Sequence, residues 1–196
     1  MQWWHEAPGT EWGLILTHGA GSNGDAPLLK AIAEEFSKSG ICVLRYDLPY
    51  REARRHGPPF PAQATRDREG IRRAAAEMRA RGVSVIAGGH SYGGRQTTMA
   101  ASEDPAMAEA LLLLSYPLHP PRKPDQKRTA HFASLRTPAF FAHGSRDPFG
   151  SLDEMRSAIA VIPARTELMA LEGAPHGLSP RSAADIAPKF RQFLAL

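Results

Sequence analysis

Apolar residues along this chain come in short unbroken runs bounded by polar or turn-forming residues, without the strict alternation of a half-solvated sheet. Six runs have strand length: "WGLILTH" (12–18), "ICVLRYD" (41–47), "VSVIAGG" (83–89), "ALLLLSY" (110–116), "PAFFAHG" (138–144) and "TELMALEG" (166–173). Segments of helical composition lie between them at 26–39, 61–81, 93–103 and 151–160, with a last one at 180–195. In the second of these, Ala, Glu, Met and Arg favour helix, Gly82 can stop it and Gly70 weakens its middle. The interval 117–137 is rich in proline and basic residues and reads as a long loop with one helical turn near "TAHFASL". Fully buried strands alternating with helices predict an α/β fold, a mostly parallel sheet wrapped by helices on both faces.

With 196 residues and 42% hydrophobic content, the chain can bury one substantial core, so a single domain over 1–196 is expected. The opening "MQWWHEAPGTEW" lacks the pattern of a secretory signal, and no apolar run approaches the roughly 20 residues that span a bilayer. A cytoplasmic protein without membrane association is the expectation. One cysteine, Cys42, excludes an internal disulfide and a multi-cysteine zinc site, and its setting in "ICVL" predicts a buried structural thiol. The net charge of +4 is mostly arginine dispersed among carboxylates, so nucleic acid is not an expected partner. Trp3, Trp4 and Trp12 read as packing residues.

Ligands of open α/β sheets bind beyond the carboxyl ends of the strands, which makes the residues just after each run the informative ones. The third run leads into "GHSYG" (89–93), a G-x-S-x-G pattern with an apolar strand before it and helix-compatible "RQTTMAAS" after it. Glycines flank the serine because a nucleophile on a sharp strand-to-helix turn has a strained backbone, and side chains at Gly89 and Gly93 would strike neighbouring turns. Ser91 is therefore the candidate nucleophile. A serine hydroxyl needs a base, and His176 follows the last strand; the base needs an orienting acid, and Asp147 follows the fifth in "HGSRDPFG". Asp153 and Glu154 are rivals for the acid, but they fall in the first turn of a helix, where carboxylates suit the dipole anyway. Donors for an oxyanion are assigned to the amides of Ala20, in the small-residue turn "THGAGSNG" after the first strand, and of Tyr92, with Gly21 as alternative to Ala20. That turn has no G-K-[ST] continuation and does not match G-x-G-x-x-G, which argues against a nucleotide. His18 and His143, each before a glycine at a strand end, read as structural, and no metal or other cofactor is expected.

In its strand-end placement and its Ser, Asp, His chain order the sequence resembles the α/β-hydrolase superfamily from about Trp12 to Leu196. The segments "SYPLHPPRKPDQKRTAHFASLRTP" and "HGSRDPFG" look more narrowly like a family shared by small bacterial predicted hydrolases, a testis-expressed vertebrate protein and the hydrolase-like subunit of the non-specific-lethal chromatin complex. Dienelactone-hydrolase-like enzymes are near relatives. The resemblance implies an α/β-hydrolase fold with a reduced sheet of six or seven strands and no cap domain. It delivers no substrate; the strand-end residues themselves predict a metal-independent serine hydrolase of carboxylesterase or thioesterase type acting on a small-molecule ester. A binding or scaffold module and an acyltransferase are the competing functions, and a monomer or homodimer is expected.

Without a cap, loops 47–60 and 116–137 would shape the site. They carry Arg51, Arg54, Arg55, Arg122, Lys123, Lys127 and Arg128. Arg51, Arg54, Arg55 and His119 are named as substrate-binding candidates: cations pointing inward would favour a carboxylate- or phosphate-bearing ester. The alternative is that the arginines are solvated or paired with local acids.

Overall fold

The structure, a computed structural model, describes residues 1–195. Its strands are β1 (Gln2–His5), β2 (Trp12–Thr17), β3 (Cys42–Tyr46), β4 (Ser84–His90), β5 (Ala110–Leu114), β6 (Ala139–Gly144) and β7 (Thr166–Leu171). Its α-helices are α1 (Pro27–Lys38), α2 (Pro49–Ala53), α3 (Ala64–Arg79), α4 (Tyr92–Glu103), α5 (Leu152–Ile159) and α6 (Ala183–Leu194). The strands form one sheet in the order β1-β3-β2-β4-β5-β6-β7, in which β1 pairs antiparallel with β3 and every other pairing is parallel.

The six apolar runs each become a strand, and those at the centre of the sheet are buried on both faces. In β5, Leu111 and Leu113 face one core while Leu112 and Leu114 face the other. The first core takes Ile71, Ala75 and Met78 of α3, Ala100 and Ala101 of α4, and Met155 and Ile159 of α5. The second takes Ile32 and Phe36 of α1 with Ile186, Phe190 and Phe193 of α6. There the Phe190 ring centroid lies 5.6 to 6.0 Å from those of Phe36, Phe140 and Phe193. Each such buried ring contributes about 2–3 kcal/mol of burial.

Two elements go beyond the sequence expectation. The "QWWH" segment, read only as packing, is the edge strand β1, with Arg45 of β3 over the Trp3 ring at 5.4 Å. Within the loop 47–60 lies the short helix α2, started by Pro49 at its first turn. The long β5–β6 connection carries a 3₁₀ turn at Phe132–Ser134, inside "TAHFASL", and no cap. Cys42 is buried and free. Among the described residues no helix is long and apolar enough to cross a membrane.

Candidate active site

Ser91 is the single residue between β4 and α4, at φ 51° and ψ −115°, a conformation that costs a non-glycine residue of order 1–3 kcal/mol. Hydrogen bonds hold it from both sides: its N–H donates to the Leu114 carbonyl at 2.8 Å, and its own carbonyl accepts the Arg95 N–H at 2.9 Å. The glycines around it are imposed by contact. A Cβ on Gly89 would lie 2.6 Å from backbone atoms of Gly93 and Gly94, and one on Gly93 would lie 2.6 Å from the His18 carbonyl oxygen.

The ends of β6 and β7 bring the other two polar groups to this turn. His176 Nε2 lies 2.8 Å from Ser91 Oγ, and His176 Nδ1 lies 2.7 Å from Asp147 Oδ2. The Asp147 side chain is fully buried and also accepts the Phe149 N–H at 2.8 Å, so its carboxylate is fixed in orientation. With an acceptor at Nδ1, the imidazole carries its proton there and turns a bare Nε2 to the hydroxyl. The Phe149 ring covers the imidazole at 4.1 Å between centroids. His90, unassigned from the sequence although it is the second residue of "GHSYG", donates from Nε2 to the His176 carbonyl at 3.1 Å and so pins the histidine loop to the serine turn. Burial keeps its pKa below the ordinary histidine value.

The Ala20 peptide is held as firmly. The Gly19 carbonyl accepts from His18 Nδ1 at 2.9 Å and from Tyr50 Oη at 3.1 Å; because the peptide is trans and planar, the Ala20 N–H points the opposite way. The Tyr92 N–H is the first amide of α4, one of the donors that a helix start leaves without an internal acceptor. Below it, the Tyr92 hydroxyl donates to buried Asp67 at 2.7 Å, and Asp67 also accepts the Tyr50 N–H at 3.0 Å. Burial raises the Asp67 pKa above the usual carboxylate range. Among the described residues no group of three or more His, Cys, Asp or Glu converges where it could hold a metal ion.

A sequence model of the family described as alpha/beta hydrolase domain matches residues 10–190. The chain belongs to that family. Solved structures with the same fold include TT1662 from Thermus thermophilus, at 19% identity and TM-score 0.75, covering 100% of this chain and 94% of the other. A dienelactone hydrolase from Anabaena variabilis matches at 19% identity and TM-score 0.79, covering 99% and 90%. Est1E from Butyrivibrio proteoclasticus, solved with ferulic acid bound, matches at 16% identity and TM-score 0.75, covering 100% and 96%.

In this α/β-hydrolase chain a cavity of about 500 Å³ opens beside Ser91, Ala20 and Tyr92, walled by Pro59, Phe60 and Met99 among others. None of the four substrate-binding candidates lines it, and the structure places each of them elsewhere. Arg51 is buried with all five of its N–H donors spent on carbonyls, those of Ala20, Ser22, Arg54, Arg55 and Gly57, at 2.6 to 3.1 Å. It ties loop 47–60 to the turn that carries Ala20. Arg54 bonds the Pro58 carbonyl and lies over the Phe60 ring at 4.4 Å, while Arg55 is exposed beside a separate cavity shared with Trp3 and Asn23. His119 is buried, donates from Nδ1 to the Pro120 carbonyl at 2.8 Å and sits 3.5 Å from Glu154. Of the seven loop cations, Arg128 alone lines the cavity, together with Arg95 of α4, which no sequence motif singles out.

The buried supports make two effects measurable. Lysine has three donors on one nitrogen and cannot span the carbonyls from Ala20 to Gly57, so R51K should lower stability by about 2–3 kcal/mol. Urea denaturation reads this, and a midpoint equal to the native one would count against Arg51 as the tie. His18 is fully buried, accepts the Leu48 N–H at Nε2 and has its pKa pushed down to about 4, chiefly by burial. Between pH 6.5 and 4 the unfolded chain takes up a proton there and the folded chain does not. Stability therefore falls as pH drops through that window, by about 3 kcal/mol in full. His131, also pushed down to about 4 by burial and the Arg95 charge, acts in the same direction. Urea midpoints at pH 7 and pH 5 check this, and H18N should remove the His18 share of the dependence while that of His131 remains.

Proposed function

We propose that this protein is a serine hydrolase that cleaves a small carboxylic ester through an acyl-enzyme. The observation that carries the reading is the hydrogen-bonded chain from Asp147 to His176 to Ser91, at 2.7 and 2.8 Å, on a strained strand-to-helix turn. Ser91 Oγ attacks the ester carbonyl while His176 Nε2 takes its proton. The charge that develops on the carbonyl oxygen is held by the Ala20 and Tyr92 amides, and Asp147 stabilises the imidazolium. His176 then gives the proton to the departing alkoxide, leaving the acyl group on Ser91. A water, deprotonated by the same nitrogen, attacks the acyl-enzyme; the acid leaves and Ser91 recovers its proton.

Relatives named a dienelactone hydrolase and an Est1E holding ferulic acid are in keeping with acyl chemistry. The test is intact-protein mass spectrometry after exposure to a fluorophosphonate, alongside hydrolysis of p-nitrophenyl esters. One adduct is expected on the native chain and none on S91A, with labelling of H176A at least about a hundred-fold slower. A folded native chain that takes no label and cleaves no ester would instead be read as a binding module on a hydrolase fold.

A further inference from the structure

We propose that Arg95 and Arg128 form an oxyanion-binding subsite in the Ser91 cavity, so that the ester cleaved here carries a second, negatively charged group, a carboxylate or phosphate. This rests on the hydrolase reading of Ser91. The two arginines come from separate elements, α4 and the β5–β6 connection, yet line the same cavity as the serine. They are close enough that the Arg95 charge, added to burial, holds the Arg128 pKa below its ordinary value.

Neither has an ion-pair partner among the described residues, whereas the other buried or half-buried guanidinia nearby are committed. Arg68 and Arg72 share Glu103, and Arg51 is saturated by carbonyls. Arg95 Nε is buried without a hydrogen-bond partner, and the Arg128 side chain reaches only the Pro117 carbonyl, at 3.5 Å. The backbone of Arg128 is nonetheless fixed: its N–H donates to the Leu118 carbonyl at 2.8 Å and its carbonyl accepts from Tyr116 Oη at 2.7 Å. Two like charges held together in a partly dry wall, with donors unspent, are costly until an anion joins them. The surrounding Phe60 and Met99 surfaces supply the apolar contact for the carbon chain between the two ends of such a substrate.

Geometry also sets the spacing. Arg95 stands in the first turn of α4, where its N–H bonds the Ser91 carbonyl at 2.9 Å, and helical side chains lean back toward the N-terminus. An anion on its guanidinium therefore shares the cavity of about 500 Å³ with the serine, which suits a charge joined to the scissile carbonyl by a short chain. Half-esters of short diacids meet this description.

The test compares kcat/KM for mono-p-nitrophenyl glutarate with that for p-nitrophenyl pentanoate, a neutral ester of equal chain length. The native protein should favour the glutarate by about ten- to hundred-fold, and R95Q and R128Q should each reduce that ratio to near unity. K123Q, which removes an exposed charge from the same loop outside the cavity, should leave the ratio as it is. Glutarate and inorganic phosphate as competitors identify the group: inhibition by either, lost in R95Q, supports the subsite, and inhibition by neither overturns it. Equal rates on the two esters, or a ratio that falls as far in K123Q, also overturn it while leaving the hydrolase reading intact. Should no ester be cleaved and no fluorophosphonate be taken up, the hydrolase reading fails. Calorimetry with glutarate and with phosphate then decides the subsite alone: binding lost in R95Q and R128Q upholds it, and no binding to the native protein rejects it.

Discussion

Asp147→Asn should lower kcat on an ester by about 10⁴-fold while changing KM and stability little. The reason lies in what the buried carboxylate accepts. One oxygen takes the Phe149 N–H at 2.8 Å and the other takes His176 Nδ1–H at 2.7 Å. An asparagine has one oxygen to offer. If it serves Phe149, the amide NH₂ faces His176, and the imidazole must move its proton to Nε2, where it points at Ser91 Oγ and can accept nothing. If the amide is turned round, two N–H donors meet at Phe149 in a buried place, which costs about 1–3 kcal/mol. The first arrangement is therefore favoured, with the wrong tautomer and an intact fold. Steady-state kinetics with a matched thermal melt measure both halves, and a loss of less than ten-fold would sink Asp147 as the orienting acid.

Gly89→Ala should destabilise the fold by about 3 kcal/mol or more and remove ester cleavage even at temperatures where the chain stays folded. The added methyl would sit 2.6 Å from both Gly93 C and Gly94 N. Both are backbone atoms in the first turn of α4, so no side chain can swing aside. Either β4 or the start of α4 must shift by several tenths of an ångström, and the Ser91 hydroxyl and the Tyr92 amide move with it. A 1 Å error between nucleophile and base is enough to cost about a hundred-fold in rate. Gly40→Ala is a control with an open surrounding at a positive φ: it carries only backbone strain and should leave the labelling rate of Ser91 unchanged. A Gly89→Ala protein with native stability and native labelling would contradict the steric account.

The sheet is legible in the sequence where burial dictates the residue type. Leu111 to Leu114 and Phe140 to Phe141 are apolar without interruption because helices cover both faces, and a strand open to water on one side would alternate instead. β1 is not legible: its four residues are at most half-buried, and the antiparallel register against β3 leaves no mark on "QWWH". The five residues of α2 are too few to show a helical period. At the site, Ser91, Asp147 and His176 stand out because each lies past a strand end, and His176 lies within hydrogen-bond distance of both of the others. The arginines behave differently. A guanidinium's role is set by which carbonyls and carboxylates surround it in space, so Arg51 and Arg128 look alike in sequence although one is saturated and the other is not. Arg95 has a signal, its place in the first turn of the helix that Ser91 precedes, that only becomes meaningful once the serine is taken as the reference point.

The three groups are mounted on parts of the sheet with unequal protection. Ser91 follows β4, which is shielded along both edges by β2 and β5 and buried through most of its length. His176 follows β7, one of the two edge strands, whose residues are intermediate or exposed throughout. Opening free energies in a folded protein are lowest at such margins. Under the proposed mechanism, mild heating or low denaturant should reach the proposed base before the proposed nucleophile. A molecule with β7 frayed would keep β4 and the serine turn while losing the group proposed to activate the hydroxyl. Inactivation should then precede melting, be undone on cooling, and leave the serine unreactive rather than exposed and indiscriminate.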